Sequence, residues 1–459
     1  MPPGPVAVLN PQAAAMPPGP VAVLSEESTK GQDRHESLEL ESISAFGVFD
    51  GHGGIECSQA LKEALLPKIL GPGAFPGDEQ IVDSYWALDQ AVGADLAAQG
   101  NHAGSTCTVL VVGTDGAGGY RCKLAWVGDS CAYVISMTGG QTLQYITTLA
   151  HTPYVEAEKT QLLQLAAVCK VVRKLRGKEE DQIEVRTAEE IERNRAEKIK
   201  KIEAKRAAGA KGTALASVPG RRGGPPAVVR QKSEKAVDDG IQPQWESEAA
   251  VRSSREEAEE EEDATEDLVR LAFAELGLPT PPGVLALYCR AFRRERLIQK
   301  AFPRNVAYRR RCFIHKRAVE KDRNEPLVVA TDDDPFSPHH KDLMMSRSIC
   351  DWTKCAWVLP HPQLLDFTVA AGEHKRVILA SDGLWDVISP EDAVIIARDS
   401  PSVDAAAELL MRRAKDEYLT KRGLAKMGDD TTVMVIDLNP SNVMFAARGG
   451  RGTGCCVVA

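Results

Sequence analysis

The chain has 459 residues, a formal charge of −9, 43% apolar residues and 5% aromatic ones. That length suits one large domain or two ordinary ones, and the mild acidity argues against nucleic acid as the main partner. No apolar run approaches the ~20 residues of a spanning helix, and the first residues lack the basic and apolar regions of a signal peptide.

Met-Pro-Pro-Gly-Pro-Val-Ala-Val-Leu occurs twice, at Met1–Leu9 and Met16–Leu24. This duplicated Pro/Gly tail, residues 1–29, is expected to be disordered, with ordered chain from about Lys30-Gly31-Gln32-Asp33. Ala45–Phe49 reads as a short buried strand, broken at once by Asp50-Gly51-His52-Gly53-Gly54. Helices are predicted over Cys57–Leu70 and through Ile81, Tyr85, Leu88, Val92 and Leu96. Thr106–Val112 and Cys122–Val127, divided by Asp115-Gly116-Ala117-Gly118-Gly119, give a hairpin signal. The second run ends in Gly128-Asp129-Ser130, and a strand resumes at Ala132–Ser136.

Between 156 and 326 the character changes. Glu179–Arg206 carries Glu, Lys and Arg at i,i+4 spacings with a thin apolar stripe, which predicts a solvated helix. Gly209–Val251 is a Gly/Pro/Ser/Lys-rich linker, Glu256–Asp263 an acidic run and Leu268–Leu278 a short amphipathic patch. Arg290–Arg317 is basic, with Arg293, Arg294, Arg296 and Arg309-Arg310-Arg311. Its charge suits nucleic acid or an acidic partner, but a solvated, partly helical or disordered insertion is the plainer reading. Globular chain resumes near Leu327: a strand at Val377–Ala380 running into Ser381-Asp382-Gly383, a helix capped by Ser389 with Pro390 at its first position, a helix over Val403–Arg422, and a last strand at Thr432–Leu438. The 11 cysteines are scattered without a CxxC pair and read as reduced thiols of a cytoplasmic or nuclear protein.

Asp50, Asp129, Asp382 and Asp429 share one setting, the edge of an apolar strand beside glycine or a small polar residue. Any one of them alone suits a turn aspartate. Gathered at one end of packed sheets, they would tolerate one another only around cations. All-oxygen ligation without clustered His or Cys points to Mg2+ or Mn2+. Two such ions ~3.5–4 Å apart can hold a hydroxide for in-line attack on phosphorus.

In this order along the chain, Phe46–Gly54, Gly104-Ser105-Thr106, Val127-Gly128-Asp129-Ser130, Met345-Ser346-Arg347-Ser348, Ile378–Asp386 and Asp429-Asp430-Thr431-Thr432 resemble the motifs of the metal-dependent protein phosphatases of type 2C, the PPM family. The resemblance implies an α+β fold, a β-sandwich of two antiparallel sheets flanked by helices, made of residues 30–155 and 327–440 and interrupted by the charged insertion 156–326. It implies two Mg2+ or Mn2+ ions. Asp50 would bridge them, the Gly51 carbonyl would bind one, Asp382 and Asp429 would hold the other, and Asp129 with Asp382 would offer a weaker third site. His52 matches the position that protonates the leaving alkoxide, with a purely structural hydrogen-bonding role as its alternative. Asp33 belongs to the supporting shell.

The implied activity is hydrolysis of phosphoserine and phosphothreonine in phosphoprotein substrates by a monomeric enzyme. Three departures from the motifs, Cys131, Ala150 and Cys350, together with Asp430 in place of a frequent Asn, leave the core ligands in place but touch substrate handling. Arg34 is a poor substitute for the family's phosphate-binding arginine. The rival readings are a catalytically weak member serving as a phospho-dependent binding or scaffold protein, with the insertion as its partner surface, and a hydrolase of some other phosphoester on the same scaffold. The flexible tail, residues 441–459, ends in Cys456-Val457-Val458-Ala459, a C-a-a-X pattern for prenylation. Cys455 beside it suits palmitoylation, and the pair predicts reversible attachment to a membrane surface.

Overall fold

The computed structural model describes residues 19–28, 30–137, 144–175, 265–279, 282–301, 312–316, 327–331, 343–352, 357–421 and 427–438. By internal contacts the chain divides into Met1–Val185 with Val269–Ala459, and Arg186–Leu268; of the latter only residues 265–268 are described. The expected solvated helix Glu179–Arg206, the first repeat copy, the Arg309–Arg311 triplet and the C-terminal tail with Cys455 and Cys456 lie outside the described residues.

The larger unit is built on two antiparallel sheets. Their strands are β1 (Val21–Glu26), β2 (Arg34–Glu39), β3 (Ile43–Phe49), β6 (Cys107–Thr114), β7 (Tyr120–Val127), β8 (Cys131–Ser136), β9 (Tyr145–Thr147), β12 (Gln363–Val369), β13 (Lys375–Ala380) and β14 (Thr431–Leu438). One sheet runs β1-β14-β13-β8-β9 and the other β12-β7-β6-β3-β2. The short pairs β4 (Gly51–His52) with β5 (Gly104–Ser105), and β10 (Cys312–Lys316) with β11 (Leu327–Thr331), stand apart.

Each central strand is buried on both faces, which is why it reads as a continuous apolar run instead of an alternating one. Phe46, Val48, Leu110, Val112, Leu124 and Trp126 point into the sandwich and meet Ala132, Val134, Val377, Leu379, Met434 and Ile436. Their sequence neighbours point outward. Ala45, Val109, Val111 and Ala125 pack under α1 (Glu56–Leu70) and α2 (Asp78–Ala98). Ile378, Ala380, Val433 and Val435 pack under α7 (Pro390–Asp399) and α8 (Val403–Lys421). The N-cap expected at Ser389 forms: its Oγ accepts from the Asp392 amide at 3.1 Å.

Two stretches differ from the sequence expectation. The second repeat copy, read as the end of a disordered tail, supplies β1, with Val21–Glu26 paired to Ile436–Thr431. Proline and glycine precede this run but do not interrupt it, and an open sheet edge gives its apolar residues a partner. The flanks of the insertion also pack. α3 (Glu156–Leu175) buries Leu162, Leu165, Val168 and Val172. A helix over 265–275 (α4) buries Phe273 against Tyr288 of α5 (Pro282–Ala301), which also buries Phe292 and Ile298. Within the segment read as basic and solvated, Arg294 is fully buried.

Among the described residues no helix is long and apolar enough to cross a membrane. Cys57, Cys107, Cys122, Cys131, Cys169, Cys289 and Cys350 are free, buried thiols.

Candidate active site

All four strand-edge aspartates arrive at one end of the sandwich. Asp50 follows β3, Asp129 follows β7 across Gly128, Asp382 follows β13 and opens the one-turn helix α6 (Asp382–Trp385), and Asp429 precedes β14. The loop from β1 to β2 brings Lys30 and Asp33 to the same end.

Gly104-Ser105-Thr106 fixes Asp50 by its backbone. The Thr106 amide (2.9 Å) and Ser105 Oγ (3.0 Å) donate to the Asp50 carbonyl. The Asp50 amide donates to Thr106 Oγ1 at 3.3 Å, and that hydroxyl lies 2.7 Å from Ser130 Oγ. Beside Asp129, the His151 amide donates to the Gly128 carbonyl at 2.8 Å and His151 Nδ1 accepts from the Gly128 amide at 3.2 Å. The ring stacks on Trp126, centroids 5.8 Å apart. His151 is thus a structural brace for the turn.

The carboxyls strain against one another. Burial, then repulsion from Asp382, Asp33 and Asp129, pushes Asp50 well above the usual carboxylate range. Burial, then Asp129, Asp386 and Asp429, does the same to Asp382. Burial is also the main cause that raises Asp33 and Asp129, each to about 6. Asp33 Oδ2 accepts from Ser381 Oγ at 2.7 Å, while Asp33 Oδ1 and Asp129 Oδ1 are buried without a hydrogen-bond partner.

Asp429 takes a different partner. Lys30 Nζ donates to both of its oxygens, at 2.7 and 2.6 Å. Burial works against the Lys30 charge, but the hydrogen bond to Asp429 and the charges of Asp429, Asp382 and Asp50 outweigh it and raise the ammonium above its ordinary value. The neighbouring Asp430 anchors the loop that carries Lys30, accepting from the amides of Ser28 (2.6 Å), Gly31 (3.2 Å) and Gln32 (2.5 Å). Burial opposes its ionisation, and these donors reverse that and hold it below the usual carboxylate range. Among the described residues no group of three or more His, Cys, Asp or Glu side chains is arranged to hold a metal ion. Arg34 is turned onto Gln59 and the carbonyls of Gly31 and Asp33, not toward the carboxyl cluster.

His52 is the second feature. Its Nε2 lies 2.8 and 3.0 Å from the two oxygens of Asp351, a fully buried carboxylate that also accepts from Ser348 Oγ. Its Nδ1 is buried without a partner. Gly104 makes room for the pair: a Cβ there would stand 2.5 Å from His52 Nε2 and 2.7 Å from the Asp351 oxygens.

Sequence reasoning had not assigned Asp351 or Lys30 a role. The signals available are Asp351 directly after the altered Cys350, and Lys30 three residues before Asp33.

The motifs now have a fold around them. The sequence profile described as "Protein phosphatase 2C" matches residues 24–178 and 322–422, more than half of the chain. The chain belongs to the protein phosphatase 2C family. Over 121 residues it is 36% identical to Protein phosphatase 2C 50 of Oryza sativa subsp. japonica, covering 21% of this chain and 29% of that one. Over 107 residues it is 38% identical to Probable protein phosphatase 2C 5 of Arabidopsis thaliana, covering 23% and 22%. The chain thus spans under a third of the length of these relatives. Among solved structures, serine-threonine phosphatase 2C from Toxoplasma gondii shares the fold with a TM-score of 0.51, at 14% identity, over 93% of this chain and 98% of that one. The PPM fold, a helix-flanked sandwich of two antiparallel sheets, is therefore the fold of this family member.

Proposed function

We propose that this chain is a Mg2+- or Mn2+-dependent protein-serine/threonine phosphatase acting on phosphoproteins. The observation that carries the reading is the buried, mutually repelling group of Asp33, Asp50, Asp129 and Asp382, with two carboxylate oxygens left without partners. An all-oxygen set of excess negative charge fits hard divalent cations and no softer metal.

In this reading Asp50, the Gly51 carbonyl, Asp382 and Asp429 would hold the ions, and Asp129 with Asp382 would offer a weaker further position. When bound, the ions supply positive charge against the phosphoryl oxygens and make water nucleophilic at neutral pH. Asp33, held by Ser381, supports the group from behind. His52 gives its proton to the departing serine or threonine oxygen. Because Nε2 faces Asp351, Nδ1 is the atom that does so. Asp351, itself held by Ser348, fixes the ring.

One observation favours the second reading, a weakly catalytic scaffold: Lys30 already neutralises Asp429 from within the chain. Phosphate release from a phosphothreonine peptide, with and without Mn2+, separates the two. Release that needs Mn2+ and falls about 100-fold or more in Asp382→Asn is expected for the enzyme. Folded wild type that binds Mn2+ yet releases nothing would replace this reading with the scaffold.

A further inference from the structure

The segment that carries Asp351 is gripped from the insertion. Asp89 of α2 is fully buried and accepts four hydrogen bonds: from Arg294 Nε (2.7 Å) and Nη2 (3.1 Å) on α5, from the Cys350 amide (2.8 Å) and from Trp352 Nε1 (2.9 Å). A buried carboxylate endures only with a counter-charge and filled lone pairs, and Arg294 supplies the charge. The two donors from Cys350 and Trp352 flank Asp351 on either side. The carboxylate of α2 thus holds the peptide that presents the partner of His52, and an arginine of the insertion holds that carboxylate.

Two further observations mark this grip as more than packing. Cys350 has φ 65, the one positive φ at a non-glycine residue among the described residues. A side chain in that region persists only where the surroundings over-determine it, and the Asp89 contact falls on that residue's own amide. Gly93, one turn along α2 from Asp89, lets Trp352 lie against the helix backbone: a Cβ there would stand 2.5 Å from the indole. The other flank of the insertion takes the other end of the segment. Glu158 of α3 pairs with Arg347 at 2.6 Å and accepts from Ser346 Oγ at 2.7 Å.

We infer that Asp89 and Arg294 are positioning residues for the reaction: through the Cys350 amide and the Trp352 indole they set Asp351, and so His52. The insertion helix α5 is then part of the working enzyme, and a partner that displaced α5 would slacken the site. This inference deepens the phosphatase reading and rests on it for its kinetic consequence, not for its structural one.

The test replaces the buried pair by apolar residues of similar size, Asp89→Leu with Arg294→Met. Exchanging a whole pair avoids stranding one charge, so the fold is expected to persist. Hydrogen exchange of a peptide covering 346–352 should then speed up about tenfold or more, since the Cys350 amide loses its acceptor. Turnover on a phosphothreonine peptide should fall about tenfold, with KM within about twofold and Mn2+ affinity, measured by calorimetry, unchanged. Arg294→Lys, which keeps the charge, should recover most of both. Unchanged exchange and turnover would overturn the inference, as would a loss of turnover that only follows a loss of Mn2+ binding or of melting temperature. Should the double variant not fold, Trp352→Phe, which keeps a ring against α2 but removes one of the two donors to Asp89, should shift exchange and turnover the same way at smaller amplitude, and no shift in either would overturn the inference. A wild type without Mn2+-dependent turnover would sink the phosphatase reading alone, because the exchange arm still decides whether the pair holds the segment.

Discussion

Lys30 puts an ammonium where the phosphatase reading needs a metal. It donates to both oxygens of Asp429, and the pair is only partly shielded, with 48% of the Lys30 side chain and 33% of that of Asp429 exposed. A cation held there competes with a divalent ion by charge and by occupying lone pairs. Lys30→Met is therefore expected to tighten Mn2+ binding several-fold at low ionic strength and by less at high salt, where exposed charges are screened. Titration calorimetry at two salt concentrations reads this directly, and equal or weaker binding in the variant would show that Lys30 does not compete. At this scale the sequence announced the strand-edge aspartates well, because a short polar break in an apolar run is visible locally. It could not announce what only three-dimensional closure creates. Asp351 lies 299 positions from His52, and Arg294, which sits in a basic run, lies 205 positions from Asp89.

At the scale of elements, the two ends of β13 and β14 do different jobs. One end delivers Asp382 and Asp429 to the site. At the other, Arg376 donates to Asp437 at 2.6 and 2.9 Å and to the carbonyls of Ala397 and Ser400 at 2.7 and 2.9 Å, joining both strands to the end of α7. The pair is buried, with exposures of 2% and 12% for the two side chains. Removing Arg376 leaves the largely buried Asp437 carboxylate with only His374, 3.2 Å away, to face it, so Arg376→Met should cost about 3 kcal/mol of stability. Being at the far end of the strands, it should leave kcat and KM of the folded fraction unchanged. Urea unfolding and kinetics below the melting range check the two halves, and a change in kcat would show that the strands transmit strain to the site. The central strands were legible because both their faces are buried, giving unbroken apolar runs. β2, reading Arg-His-Glu-Ser-Leu-Glu, and β12, with Gln363, Asp366 and Thr368 exposed, were not, since an edge strand that is partly wet lacks that signature. β1 was hidden by the proline and glycine just before it.

For the whole molecule, acid stability gathers contributions from opposite directions. The raised carboxyls of the site favour the folded state at low pH, because folding increases their hold on protons. The buried imidazoles oppose this. Burial, then the charges of Arg347 and Arg290, lowers His361 to about 4, and burial followed by Arg347 holds His151 well below the ordinary imidazole range. An unfolded histidine titrates near 6.5. Between about 6.5 and 4 the unfolded chain therefore binds the proton that folded His361 refuses, so this residue's contribution to stability is intact above 6.5 and is lost as pH falls through that window. The residue lines a cavity of about 570 Å3 with His151, Glu158, Arg347 and Gln363, and its Nδ1 accepts from Trp86 Nε1 at 3.2 Å. His361→Gln keeps an acceptor for the indole and removes the titration. Taking the difference between variant and wild type cancels the carboxyls, which the two proteins share. The variant should gain on wild type by roughly 1–3 kcal/mol as pH falls from 7 to 4.5, with little difference above 7. Urea midpoints at half-unit pH intervals measure it. A difference that stays flat across the window would mean that His361 takes up its proton in the folded state as readily as in the unfolded one, and that the cavity beside it admits enough water to solvate the charge.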